Sequence, residues 1–149
     1  MGERHLLHPA YFETRFRAPE PLDGWPRDFP IISAYATTGQ TWTDDENREA
    51  DRRLYEELRA RSAHPRPITG FAPDTGHAEP SWAAVLSTEE ALEVGRIFHQ
   101  DAIFLVADDD LFVIRCEAPT RAVFVGGFRE RLEHDPHESR AWSPPPGTP

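Results

Sequence analysis

The sequence predicts an α+β fold, a two-layer sandwich of two helices on a mixed or antiparallel sheet. Two observations predict it. Two capping boxes, Thr43-Asp-Asp-Glu46 and Ser87-Thr-Glu-Glu90, mark two helix starts. Short apolar runs bounded by Pro, Gly and Asp clusters mark strands between and after them. The element order that results is β-α-β-β-α-β-β.

Each element has a local reason. Phe29-Pro-Ile-Ile-Ser-Ala-Tyr35 reads as a strand that opens at a proline, where no ladder donor is needed. Ala36-Thr-Thr-Gly-Gln40 reads as a loop. The first helix is expected from Asp44 to Arg61, with acidic residues in its first turn suiting the helix dipole. Asn47, Ala50, Leu54 and Leu58 share one face of it. His64-Pro-Arg-Pro67 ends it. Ile68–Phe71 and Ser81–Leu86 read as strands joined across Pro73-Asp-Thr-Gly76. The second helix carries Ala91, Leu92, Val94, Gly95 and Phe98. Runs 102–107 and 111–116 flank Asp108-Asp-Asp110 and read as a hairpin whose turn lacks the usual glycine. Ala122–Val125 adds a further strand. The first six elements match a split-βαβ, ferredoxin-like order, and other α+β sheets fit the order as well.

The ends read differently. Residues 1–28 hold four prolines and are expected to form an irregular arm. Residues 29–128 are expected to form one α+β domain. Residues 129–149, with Pro144-Pro-Pro146, are expected to be a polar, disordered tail.

Composition narrows the function classes. A net charge of −10 over 149 residues repels phosphate backbones and anionic membranes, so neither nucleic acid nor membrane is an expected partner. The single cysteine, Cys116, excludes an internal disulfide and sits in an apolar run as an inert thiol. With no long apolar stretch, a cytoplasmic location is expected.

The residues that look most like a site lie at 68–82. His77, Glu79 and Ser81 alternate beside a Gly- and Pro-rich bend, so an extended chain points them to one side. A His–Glu pair suits general acid/base chemistry, and Ser81 is a candidate nucleophile if a base lies close by. Tyr35, Thr38, Asn47 and Gln100 are the candidate ligand-binding residues, expected with His77 and Glu79 near one end of the sheet. Asn47, an amide on an apolar helix face, needs its hydrogen bonds met. No metal site and no cofactor is expected, because His77 and Glu79 lack a third ligand at matching spacing and no phosphate-loop or dinucleotide motif occurs.

The order of Ile31-Ile-Ser-Ala-Tyr35, Glu46-Asn47, Gly76-His77-x-Glu79-x-Ser81-Trp82 and Phe98-x-Gln100-Asp-Ala-Ile-Phe104 resembles the bacterial family known as domain of unknown function 3293. The resemblance spans residues 29–116. The chain departs from that family at Ala36-Thr37, where it tends to have Asn-Pro, and at His99, where it tends to have Gly. The resemblance implies fold extent and site location, not a reaction.

Two functions follow as expectations. One is a non-catalytic interaction or regulatory module that binds a protein partner through a sheet edge, the arm, or Trp25, Trp42 and Trp82. The alternative is a small-ligand domain, for a nucleotide or metabolite, or a hydrolase-like enzyme using His77 and Glu79. Without a complete catalytic set in the sequence, the first is preferred.

Overall fold

The computed structural model describes residues 9–21, 23–35, 42–117 and 121–138. Thr38 and the departures at Ala36 and Thr37 lie outside these residues. The described chain is α+β. It forms strands β1 (Arg15–Ala18), β2 (Asp28–Ser33), β3 (Arg66–Phe71), β4 (Ala78–Ala83), β5 (Ala102–Ala107), β6 (Asp110–Arg115), β7 (Val123–Gly127) and β8 (Leu132–His134). Helix α1 (Asp44–Ala60) joins β2 to β3, and α2 (Thr88–Ile97) joins β4 to β5.

Both capping boxes form. The Thr43 hydroxyl accepts from the Glu46 N–H at 3.1 Å while the Glu46 carboxylate accepts from the Thr43 N–H at 2.9 Å. Ser87 and Glu90 do the same for α2. The Asp108-Asp109 hairpin forms too, with φ of 48° and 76°. Both turn residues are left-handed, as a two-residue type I′ turn requires. The Asp109 carboxylate accepts the Arg129 N–H at 2.8 Å, which ties the later chain to this turn.

The sheet corrects the expected architecture. Its strands run β7-β6-β5-β2-β4-β3-β1-β8, antiparallel except for the parallel pair β1–β8. The seven expected elements follow one another along the chain as β2-α1-β3-β4-α2-β5-β6, but strands added at both edges enlarge the sheet to eight, and it is not a flat two-layer sandwich. The Phe16 and Phe104 rings meet edge to face at 5.3 Å. They sit on β1 and β5, which three strands separate. Contact across that span means the sheet curls into a half-barrel. One of its faces carries both helices; the other closes on itself.

Two strands lie in segments expected to be irregular. In β1, Phe16 and Ala18 turn inward while Arg15 and Arg17 turn out, the period-2 pattern of a strand. Leu132 of β8 is buried beside them. Beyond β8, the Glu138 carboxylate stands 3.2 Å from the Arg17 Nε, and Arg17 lies over the Phe71 ring. The gap between β1 and β7 is bridged by Arg131, whose guanidinium donates to the Thr14 carbonyl at 3.1 Å and the Val125 carbonyl at 2.6 Å. Gly126, at φ 146°, leaves room for it: a Cβ there would stand 2.9 Å from the guanidinium. An edge strand capped in this way offers fewer free backbone groups to a stray strand.

Two cores result. Ile32, Leu54, Leu58, Trp82, Val94 and Ile103 fill the helix side. Phe16, Phe29, Ile31, Ile68, Val106 and Phe128 fill the inside of the half-barrel. Helix α2 packs closest at Gly95, where a Cβ would meet the Cys116 Sγ at 2.5 Å and the Ile103 Cγ2 at 3.1 Å. Burial pushes the Cys116 thiol up to about 12, so it stays a neutral packing group. Gly95→Ala is therefore expected to destabilise the fold by about 1–3 kcal/mol. Adding Cys116→Ala should recover part of that loss, so urea denaturation of the four proteins would show a non-additive pair. Additive effects would contradict the contact.

Candidate functional site

The expected site residues divide between the two faces of the sheet. Trp82 of β4 points to the helix side and packs on Tyr55 of α1, ring centroids 4.9 Å apart. Alternation then turns Glu79 and Ser81 to the inside of the half-barrel, with Ala83. Asn47 belongs to α1, on the helix side. The Asn47 amide and the Glu79 carboxylate thus do not face one cavity.

Within the inner set, the His77 Nε2 stands 3.8 Å from the Glu79 carboxylate, beyond hydrogen-bond length. His77 is well exposed on the bend. The Ser81 hydroxyl donates to the Glu79 backbone carbonyl at 3.1 Å. Glu79 pairs across the ladder with Gly70, which presents no side chain beside it. Burial raises the Glu79 carboxyl above its ordinary value, and His77 offsets this in part. The Tyr11 ring packs edge-on against Phe104 at 5.7 Å. Burial raises its hydroxyl, and the Asp101 and Glu79 charges raise it further. This end of the half-barrel therefore holds acidic groups near a half-buried phenol.

Gln100 is committed to the backbone. Its amide nitrogen donates to the Tyr35 carbonyl at 3.0 Å and to the Phe98 carbonyl at 3.2 Å. It ties the end of β2 to the end of α2. The Tyr35 N–H in turn donates to the Ser33 hydroxyl at 3.0 Å. Among the described residues, no three His, Cys, Asp or Glu side chains gather as a metal site. No helix among them is long and apolar enough to cross a membrane.

Sequence reasoning missed Asp51. This carboxylate, 2 % exposed, accepts the Trp82 indole N–H at 2.9 Å. A signal existed: Asn47, Asp51 and Tyr55 recur every fourth residue, beside the apolar face. An acid inside a helix reads as solvated, and nothing in the sequence pairs it with an indole thirty-one positions on.

It also missed a groove of about 450 Å³ between α1 and the end of α2. Ala34, Ala50, Ala60 and Phe98 line it together with Trp42, and small alanines leave the volume open. Arg53, Glu56, Glu57 and His99 supply polar groups along it. Ile97 is 48 % exposed there. The end of α2 shapes this wall. The Gln100 N–H donates to the Gly95 carbonyl at 2.9 Å and the His99 N–H to the Arg96 carbonyl at 3.1 Å, a Schellman end. His99 is left-handed at φ 58°.

The model of the family described as protein of unknown function (DUF3293) matches residues 32–103. This segment belongs to that family. The DUF3293 segment runs from β2 through both helices into β5, and every residue that lines the groove falls inside it. No curated protein matches the chain. The αL end of α2 suits a residue without Cβ, and His99 occupies it with one.

Two predictions follow from this geometry. His99→Gly should stabilise the protein by up to about 1 kcal/mol, read as a higher urea midpoint; a lower midpoint would mean the imidazole makes contacts that outweigh the strain. Glu79→Gln should change the pH dependence of stability. The folded carboxyl titrates above its ordinary 4.5, so the native state holds the proton more tightly than the unfolded chain. Stability from this group falls as pH rises from about 4.5 through the folded value. Melting curves should show Glu79→Gln gaining on wild type over that rise. A gap that stays constant from pH 4 to 8 would contradict a desolvated Glu79.

Proposed function

We propose that this chain is a non-catalytic interaction module of the bacterial cytoplasm, and that it binds a partner polypeptide in the groove between α1 and α2. The observation that carries the reading is the groove itself: concave, floored by Phe98 and alanines, bearing an exposed Ile97, and built wholly from the DUF3293 segment. Its volume of about 450 Å³ admits two or three apolar side chains of an amphipathic helix. Glu56 and Glu57 stand along it and the chain carries a net −10, so the favoured partner segment has apolar anchors flanked by Lys or Arg. Trp42 fits the expected role of an aromatic contact. Trp82, with no exposed surface, serves the core.

The scaffold supports the reading. Strands β5-β2-β4-β3 lie side by side and antiparallel, with α1 and α2 on one face. We read this centre as ferredoxin-like, extended at both edges by the additional strands. The alternative reading, a small-ligand or hydrolase-like site, draws on the desolvated Glu79 beside His77.

Selection of a displayed library of random amphipathic peptides tests the proposal. Enriched peptides should carry apolar residues at i and i+3 or i+4 beside a basic residue. They should bind Ile97→Glu about tenfold or more weakly, and bind Phe124→Ser, altered at a different exposed apolar residue, as wild type. Failure to enrich, or binding indifferent to Ile97→Glu, would overturn it.

A further inference from the structure

A second cavity, of about 270 Å³, opens at the far end of the half-barrel, and none of its lining residues lies in the DUF3293 segment. Its floor is aromatic. Trp25, Phe29 and Phe128 pack on one another with centroids 5.3–5.7 Å apart. Phe29 and Phe128 are buried. The Trp25 ring is held by the Arg66 guanidinium 4.0 Å from its centroid, and its N–H donates to the Pro21 carbonyl at 3.0 Å. The floor is thus pre-organised.

The exposed mouth carries two charge pairs. Arg27 stands 3.8 Å from Asp108, and Arg129 stands 4.0 Å from Asp109. Both separations exceed a hydrogen bond. Neither guanidinium makes a hydrogen bond among the described residues. The turn beneath is rigid: the Asp108 N–H donates to the Asp28 carboxylate at 3.2 Å, and the Phe128 N–H to the Asp109 carbonyl at 2.7 Å. Two cations and two anions therefore ring an apolar, aromatic hollow large enough for one ring.

We propose that this cavity binds a zwitterionic α-amino acid with an apolar or aromatic side chain. The side chain lies in the hollow against the aromatic floor, on the Trp25 ring. The α-carboxylate meets Arg27 and Arg129, where charge-assisted hydrogen bonds are strong. The α-ammonium meets Asp108 and Asp109. A plain anion or a plain amine satisfies only half of the mouth and leaves the opposite charges facing it. The ring against the Trp25 wall adds stacking.

Calorimetric titration of the full chain at low ionic strength tests this with L-phenylalanine, 3-phenylpropionate and phenethylamine as probes. L-Phenylalanine should bind with one-to-one stoichiometry, and each half-charged analogue about tenfold or more weakly. Arg129→Ala should weaken L-phenylalanine and 3-phenylpropionate by about the same factor and spare phenethylamine. Asp108→Asn should do the converse. Both side chains are exposed, and circular dichroism verifies that the variants fold. Absence of saturable binding up to about 10 mM would overturn the proposal. So would equal binding of all three probes. The cavity shares no residue with the α1–α2 groove, so failure at one site leaves the other standing.

Discussion

The fold turns on one hydrogen bond. Trp82, on a central strand, donates its indole N–H to Asp51 of α1, and both side chains are cut off from water. Burying a carboxylate is costly unless donors meet it, and burying an indole N–H is costly unless an acceptor does. Each group answers the other, and the Tyr55 ring closes over the pair. The bond fixes where α1 rests on the sheet. It also fixes which face of β4 belongs to the helices. Every side chain of β4 then follows by alternation: Trp82 outward to the helices, Glu79, Ser81 and Ala83 into the half-barrel.

That constraint explains why the residues expected together at one end of the sheet are divided between its two faces. His77 and Glu79 come within 3.8 Å at the mouth of the half-barrel. Asn47 stays with α1 and Gln100 holds two backbone carbonyls. The open surface lies elsewhere, where alanines leave a trough between α1 and the Schellman end of α2. The helix face and the half-barrel interior are thus separate environments. The DUF3293 segment builds the first, while β1 and β6–β8, which it does not include, complete the second.

Features with local causes were legible in the sequence. Both helices begin at the capping boxes, since the donors and acceptors of a cap lie within four residues. The Asp108-Asp109 hairpin formed without glycine because both aspartates accept the left-handed region. Features with distant causes were not legible. Strands β1 and β8 are four and three residues long, and each is stabilised by a neighbour far away in the chain. The curl of the sheet depends on contacts such as Phe16 with Phe104, which no periodicity encodes. The two carboxylates show the same divide. Glu79 was noticed for its neighbours in sequence; Asp51, more deeply buried, has its decisive neighbour on another element.

The most direct test is native-state hydrogen exchange of the Trp82 indole N–H, followed by NMR after assignment with a Trp82→Phe variant. A donor locked on Asp51 in the core exchanges only through global unfolding. Its protection should therefore match that of the slowest backbone amides in β4 and α1, and fall with urea at the same slope. An indole that exchanges on the timescale of local opening would contradict the account, since α1 would then not be held to β4 by this bond.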